Sequence, residues 1–150
     1  MATAPVVLRS PAAAGLAVDA SIHLALAHRY SPVASSVVSE GALFRVEAVA
    51  AVLAALLVVF WRHRAGDAFA WVTAAAGLAA ILLYRYADPG ALGPLPDMYE
   101  PVWFADKVWA VIGQAAALAA LTPLVVVPRL LLARHAPDGH PAPPASTRRK

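Results

Sequence analysis

Residues 42–61 read ALFRVEAVAAVLAALLVVFW and decide the fold class of this 150-residue chain. Only two side chains in the stretch, Arg45 and Glu47, carry a charge. A helix needs about 20 mostly apolar residues to cross the hydrocarbon core of a bilayer. The stretch therefore predicts a transmembrane helix, with Arg45 reaching the membrane surface and Glu47 turned inward.

Three further stretches predict helices of the same kind. Residues 68–84 (AFAWVTAAAGLAAILLY) and 108–127 (VWAVIGQAAALAALTPLVVV) are apolar almost throughout, whereas Asp19 and His23 interrupt residues 12–28 (AAAGLAVDASIHLALAH). An aspartate near a helix centre costs about 2.5–3.5 kcal/mol on insertion scales, so the first helix depends on its neighbours. Together the segments predict an all-α, membrane-spanning four-helix bundle, with residues 1–134 as a single domain.

The composition favours a membrane protein. The chain is 61% hydrophobic and 14% charged, with a mean hydropathy of +0.65, whereas soluble domains are about 45–50% apolar and about 25% charged. The absence of cysteine excludes a disulfide scaffold, thiolate metal sites and a cysteine nucleophile.

Two other interpretations of the apolar segments stay open. The first segment has some features of a cleaved signal peptide, with Arg9 as its basic region, but Asp19 interrupts the apolar core that such a peptide needs. A soluble helical bundle needs polar helix faces, and the second and third segments have almost none.

Basic residues predict the orientation of the bundle. Arg62 and Arg64 lie in the short connection after the second segment, and the chain after the fourth segment is also basic: Arg129, Arg134, Arg148, Arg149 and Lys150. Acidic residues dilute the few cations on the opposite side: Glu40, Asp88, Asp97, Glu100 and Asp106. Because Lys and Arg in short loops favour the cytoplasmic side, both termini are predicted to be cytoplasmic, in a multi-pass protein of the inner (plasma) membrane.

The short connection RHRAGD, residues 62–67, predicts that the second and third helices are antiparallel neighbours. Asp67 stands where it can cap the third helix. After the fourth helix, residues 135–150 (HAPDGHPAPPASTRRK) lack any periodicity and predict a disordered cytoplasmic tail. Its terminal Arg148, Arg149 and Lys150 favour contact with anionic lipid, and so short a cluster does not predict nucleic-acid binding.

Residues 85–107 (RYADPGALGPLPDMYEPVWFADK), named here the cap segment, predict an ordered extracytoplasmic loop over the end of the bundle. Its prolines restrict the backbone, and its aromatic residues favour the membrane interface or a packed site. A belt of interfacial aromatics and a ligand-gating or partner-docking lid both fit this composition. The candidate residues in it are Asp97, Tyr99, Glu100 and Trp103. Its carboxylates match no calcium-binding motif, so no metal site is predicted.

Four polar side chains within the predicted helices form a candidate intramembrane cluster: Asp19, His23, Glu47 and Gln114. Asp19 and His23 are four residues apart and share a helix face. Ionisable residues inside a membrane are candidates for a functional site. One hypothesis is an outward-facing polar pocket under the cap segment, and the other is a structural network in which Asp19 and His23 meet Glu47 and hold the helices together.

Known cofactor chemistry finds little support in these residues. A bis-histidine haem site needs two intramembrane imidazoles, and only His23 lies clearly inside a segment. Di-iron sites need several Glu and His residues at defined spacings, which the chain lacks. A quinone or lipid pocket has no specific motif behind it, so no catalytic residue or cofactor is predicted.

The chain resembles a family of small four-span integral membrane proteins from high-GC bacteria in two stretches. The first lies between residues 23 and 51 and contains HLALAHRY and GALFRVEAVAA. The second is LLYRYADPGALGPLPDMYEPVWFADK at residues 82–107. The resemblance implies a four-span membrane fold and no particular activity, and it assigns no functional residue.

Two functions fit this pattern. The first is a non-enzymatic accessory or assembly subunit of a larger membrane complex, because short helices rich in small residues suit packing against other subunits or a second copy. The alternative is a small carrier or ligand-binding membrane protein that uses the polar pocket. A membrane enzyme comes third. Convergence of Asp19, His23 and Glu47 on a water-filled cavity favours the second function, whereas pairing of each group in a dry interior favours the first.

Overall fold

The computed structural model describes residues 4–134, with side chains described over residues 7–126. The four helices are α1 (Ala4–Ala27), α2 (Glu40–Leu56), α3 (Arg64–Tyr86) and α4 (Ala105–Arg134). A short π-helix, Leu57–Trp61, extends α2 directly. The predicted all-α fold is confirmed for this part of the chain, whereas the predicted tail at residues 135–150 lies outside the described residues.

All four helices are long and apolar enough to cross a membrane, over Val7–Ala27, Glu40–Trp61, Arg64–Tyr86 and Ala105–Val126. Large apolar side chains cover the outer surface of the bundle; Val46 is 67% and Phe60 77% exposed. Such a surface is unusual for a soluble monomer and suits a lipid environment. The chain is therefore a multi-pass membrane protein with a four-helix bundle.

The helices pack in a ring, with α1 and α3 each lying against both α2 and α4. We call the end with residues 62–63 and the start of α1 the hairpin end, and the opposite end, with residues 28–39 and the cap segment, the cap end. Small side chains dominate the core, including Ala12, Ala51, Ala54, Ala70, Ala74 and Ala117. Small residues let helix backbones approach closely, which favours association where lipid supplies no hydrophobic driving force.

The tightest helix contact joins Gly15 of α1 to Gly113 of α4. A methyl group added to Gly15 would overlap the Gly113 carbonyl oxygen, and one added to Gly113 would stand 2.7 Å from the Gly15 carbonyl oxygen. Ala117, one turn further along α4, would also be within 3.3 Å of a Cβ on Gly15. Glycine is therefore required on both sides of this crossing.

The hairpin end contains a tight connection between α2 and α3. The amide of Arg62 donates to the Leu57 carbonyl in the wide turn of the π-helix, and Arg62 itself has a left-handed backbone with φ of 50°. His63 then caps α3, because its Nδ1 atom accepts from the amide of Ala65 at 3.2 Å. The two helices are antiparallel neighbours, as the short connection predicts.

A buried ion pair joins three elements at the hairpin end, and it corrects the predicted role of Asp67. The Arg9 guanidinium of α1 donates to both carboxylate oxygens of Asp67 in α3, at 2.7 and 2.8 Å, and to the carbonyl of Val58 in the π-helix, at 2.8 Å. The cap of α3 is His63. Asp67 faces the bundle interior instead, because α1 begins at Ala4, well before residue 12, and brings Arg9 opposite it.

Candidate functional site

A cavity of about 370 Å³ lies within the bundle at the cap end. All four helices and the cap segment contribute to its wall. Most of the lining is apolar, with Ile22, Leu26, Phe44, Ile81, Leu95 and Phe104 among the contributors. A cavity of this size with an apolar wall and few polar groups has the usual character of a small-molecule site.

The deep end of the cavity meets the polar cluster. His23 and Glu47 line the cavity, while Asp19 and Gln114 lie behind them and are both fully buried. The structure thus brings together all four polar residues predicted within the helices. The sequence places them there because each lies on the cap-end half of its own helix.

Asp19 is the centre of this cluster. Its Oδ1 atom accepts from Gln114 Nε2 at 2.7 Å and lies 2.9 Å from Nδ1 of His23. The same His23 nitrogen is 3.0 Å from the Asp19 carbonyl oxygen. Since both neighbours of Nδ1 are acceptors, Nδ1 carries a ring proton, and Nε2 is the ring nitrogen that Asp19 does not engage.

Asp19 and His23 were expected to meet the second helix through Glu47. Glu47 lies in the same cluster, but among the described residues the side chain of another helix that hydrogen-bonds to Asp19 is Gln114 of α4. His23 meets α2 at Phe44, with ring centroids 5.3 Å apart.

Glu47 and Gln114 both lie against Gly77 of α3. A Cβ added to Gly77 would stand 2.9 Å from Oε1 of Glu47 and would overlap the Gln114 side chain. The absence of a side chain at Gly77 is what lets both polar groups enter the interior.

Three buried oxygen atoms in this cluster lack a hydrogen-bond partner within the described part of the chain. They are Asp19 Oδ2, Glu47 Oε1 and Gln114 Oε1. Buried polar atoms are nearly always paired, so each unpaired one needs a physical explanation. All three are oxygen atoms that can accept a hydrogen bond, so the cluster has acceptors left over.

The rim of the cavity has a second group of polar side chains: Tyr30, Glu40, Glu100 and Lys107. Lys107 donates to the carbonyl oxygens of Glu100 and Val102, at 2.7 and 3.0 Å. Burial raises the pKa of the Tyr30 hydroxyl above its usual value, and the negative charges of Glu100 and Glu40 raise it further. Tyr30 therefore stays a neutral hydrogen-bonding group at physiological pH.

The cap segment packs on the cap end through its backbone. The amide of Glu100 donates to the Tyr84 carbonyl at 3.1 Å, and the Ser35 hydroxyl donates to the Pro94 carbonyl at 2.6 Å. Of the four candidate residues in this segment, only Glu100 lines the cavity. Asp97, Tyr99 and Trp103 are exposed.

Trp103 belongs to a surface cluster outside the cavity. Its ring packs edge-on to Tyr86, and the guanidinium of Arg85 lies 5.5 Å from its centroid. The aromatic-belt interpretation therefore describes Trp103 better than a lid does. Sequence reasoning missed Leu95, Met98 and Phe104 as contributors to the cavity. The available signal was that these apolar side chains stand among the prolines of the cap segment, with Leu95 directly between Pro94 and Pro96.

No protein-family model, curated protein or solved structure matches the chain. Within the described residues, no group of three or more His, Asp and Glu side chains is arranged to hold a metal ion. A function must therefore be inferred from the geometry of the cavity itself.

Proposed function

We propose that this chain is a small membrane protein that binds an apolar small molecule with one polar group, taken up from the bilayer. The observation that carries the proposal is the cavity of about 370 Å³, which has an apolar wall and the polar pair His23 and Glu47 at its deep end. Binding sites for small molecules combine an apolar wall with a few placed polar groups in this way.

The side of the bundle supplies a route to the cavity. Val46 of α2 and the pair Ala76 and Ala80 of α3 contribute to the cavity wall and are exposed on the outer surface. The cavity therefore reaches the surface between α2 and α3, on the apolar face that meets lipid. An apolar ligand dissolved in the bilayer enters here without crossing water.

Filling the cavity from α4 tests the proposal. Ala110 lines the cavity and is buried, so the larger side chain of Ala110→Leu occupies ligand space. With 1-adamantanol as the probe and the protein in lipid nanodiscs, calorimetry should show at least about tenfold weaker binding, a loss of about 1.4 kcal/mol.

The matched control is Ala116→Leu, because Ala116 lies on the exposed face of the same helix. Its affinity for 1-adamantanol should equal that of the unmodified protein. Equal binding by both variants and the unmodified protein, or no binding above that of empty nanodiscs, would contradict a ligand site in this cavity.

An accessory or assembly subunit is the second candidate function. Helices rich in small residues support it, but the closest small-residue contact, Gly15 with Gly113, is already used within the bundle. The surface cluster of Arg85 with the exposed rings of Tyr86 and Trp103 is a candidate contact for a partner subunit. Purification in mild detergent followed by mass spectrometry tests for such a partner.

We also propose that both termini are cytoplasmic and that the cap end faces outward in the inner (plasma) membrane. Eight of the 12 Lys and Arg residues belong to the hairpin end or to chain segments that continue from it. Arg9 is one of the eight, but Asp67 neutralises it, so the support comes mainly from Arg62, Arg64 and the basic residues from Arg129 onward.

Cysteine labelling tests this orientation directly, because the chain contains no cysteine. Asp97→Cys places one thiol on the exposed cap segment. A membrane-impermeant maleimide should label it in intact cells or spheroplasts. Labelling only after the cytoplasmic side is opened would reverse the proposed orientation.

A further inference from the structure

We infer that the ligand of this cavity is a lipophilic amine whose protonated nitrogen binds Glu47. This inference rests on the proposed function and adds the chemical class of the ligand. It is based on the polar groups around the cavity, among which negative charges and unpaired hydrogen-bond acceptors predominate.

The charges of the lining are mostly negative. Three carboxylates, Glu40, Glu47 and Glu100, line the cavity. Lys107 also lines the cavity, but it lies at the rim, where it donates to the backbone carbonyl of Glu100. A cleft lined by one sign of charge attracts the opposite sign, most strongly where its walls are apolar.

Glu47 is the carboxylate that lacks a cation of its own. His23 is the nearest basic group, but its Nδ1 atom is held by Asp19 at 2.9 Å. Arg45, although two residues away, points to the cap end, where its Nη2 atom donates to the Ser31 hydroxyl at 3.3 Å. An isolated carboxylate inside a membrane is costly, so a cationic ligand gains from pairing with it.

Hydrogen bonding favours the same ligand chemistry. The deep end of the cavity and the residues behind it have three unpaired buried acceptors, at Asp19, Glu47 and Gln114. In the neutral form of His23, Nε2 adds a further acceptor, because the Nδ1 proton is already engaged by Asp19. An ammonium group has only donors, which complements the unpaired acceptors at the deep end of the cavity.

The same arrangement disfavours other polar groups. A carboxylate ligand meets the negative charge of Glu47. A ketone or quinone oxygen needs a donor, and Nδ1 of His23 and one N–H of Gln114 Nε2 are already directed at Asp19. An alcohol supplies a single donor and no charge, so it should bind more weakly than the amine.

A matched series of probes tests the inference, since 1-aminoadamantane, 1-adamantanol and adamantane-1-carboxylate share one apolar body. In phosphatidylcholine nanodiscs, the amine should bind the unmodified protein at least about tenfold tighter than the alcohol, and the carboxylate should bind weakest. Glu47→Gln should reduce the affinity for the amine to that for the alcohol while leaving the alcohol unchanged. Binding of the alcohol by the variant also shows that it is folded.

Asp97→Asn is the control, because it removes one negative charge from an exposed residue outside the cavity. It should leave the preference for the amine intact. If the alcohol binds as tightly as the amine, or if Glu47→Gln leaves the amine affinity unchanged, the amine inference is overturned while the ligand site stands. If none of the three probes binds, both proposals fail.

The amine itself has two possible sources, a free small molecule or the headgroup of phosphatidylethanolamine. Repeating the titration with phosphatidylethanolamine in the nanodiscs separates them. Competition that weakens binding of 1-aminoadamantane identifies the lipid headgroup as an occupant, and unchanged binding identifies a free amine. Phosphatidylcholine serves as the reference because its quaternary nitrogen has no N–H donor.

Discussion

Replacing Asp67 with alanine should lower the free energy of unfolding by about 3–5 kcal/mol, which is the usual cost of leaving one partner of a buried ion pair alone. The Arg9 and Asp67 side chains are only 11% and 4% exposed. In Asp67→Ala, the Arg9 guanidinium keeps its contact with the Val58 carbonyl but loses two charge-assisted hydrogen bonds. Reversible unfolding in mixed detergent micelles measures the change.

The double variant Arg9→Leu and Asp67→Leu should be milder than either single change, because it removes both charges together. Asp88→Ala is the control, since it removes an exposed carboxylate of the cap segment. If Asp67→Ala costs no more than Asp88→Ala, the pair does not stabilise the bundle.

Replacing Asp19 with leucine should also destabilise the bundle, at its other end. The change leaves Nε2 of Gln114 without its acceptor, while Nδ1 of His23 keeps only the backbone carbonyl of residue 19. A buried group left unpaired costs about 1–3 kcal/mol, so a loss of about that size is expected. Thermal unfolding in detergent, with stability compared at one temperature, measures it.

A double-mutant cycle then tests whether Asp19 and His23 act as a pair. Replacing both with leucine should destabilise the bundle less than the sum of the single changes, because no unpaired partner remains between them. Additive effects of the two substitutions would show that the side chains do not interact, and the polar cluster would then have no structural role.

Hydropathy alone predicts the architecture well. Apart from His28, which follows the end of α1, the four segments lie within α1, α2 with its π-helical extension, α3 and α4. The boundaries are less predictable because polar residues near a helix end look like terminators in the sequence. Arg9 and Pro11 suggest that the first helix starts late, yet α1 begins at Ala4. The ion pair with Asp67 removes the cost of burying Arg9, and no local pattern reveals that partner.

The membership of the polar cluster is predictable, whereas its pairing is not. Helix spacing places Asp19 and His23 on one face, and the depth of each residue in its helix brings Glu47 and Gln114 to the same level. Which of the two reaches Asp19 depends on the packing of whole helices. The Gly15 and Gly113 contact draws α4 against α1, and this brings Gln114 rather than Glu47 to the carboxylate.

The contact between the first and the last helix also has a consequence for biogenesis. Asp19 and Gln114 are separated by 95 positions in the sequence, so during synthesis the aspartate is made long before its partner. Until α4 emerges, the nascent α1 holds an aspartate that no other helix pairs, and contacts of such long range form late in folding. Chains truncated before α4 should therefore be poor at retaining α1 in the bilayer and become substrates for membrane quality-control proteases.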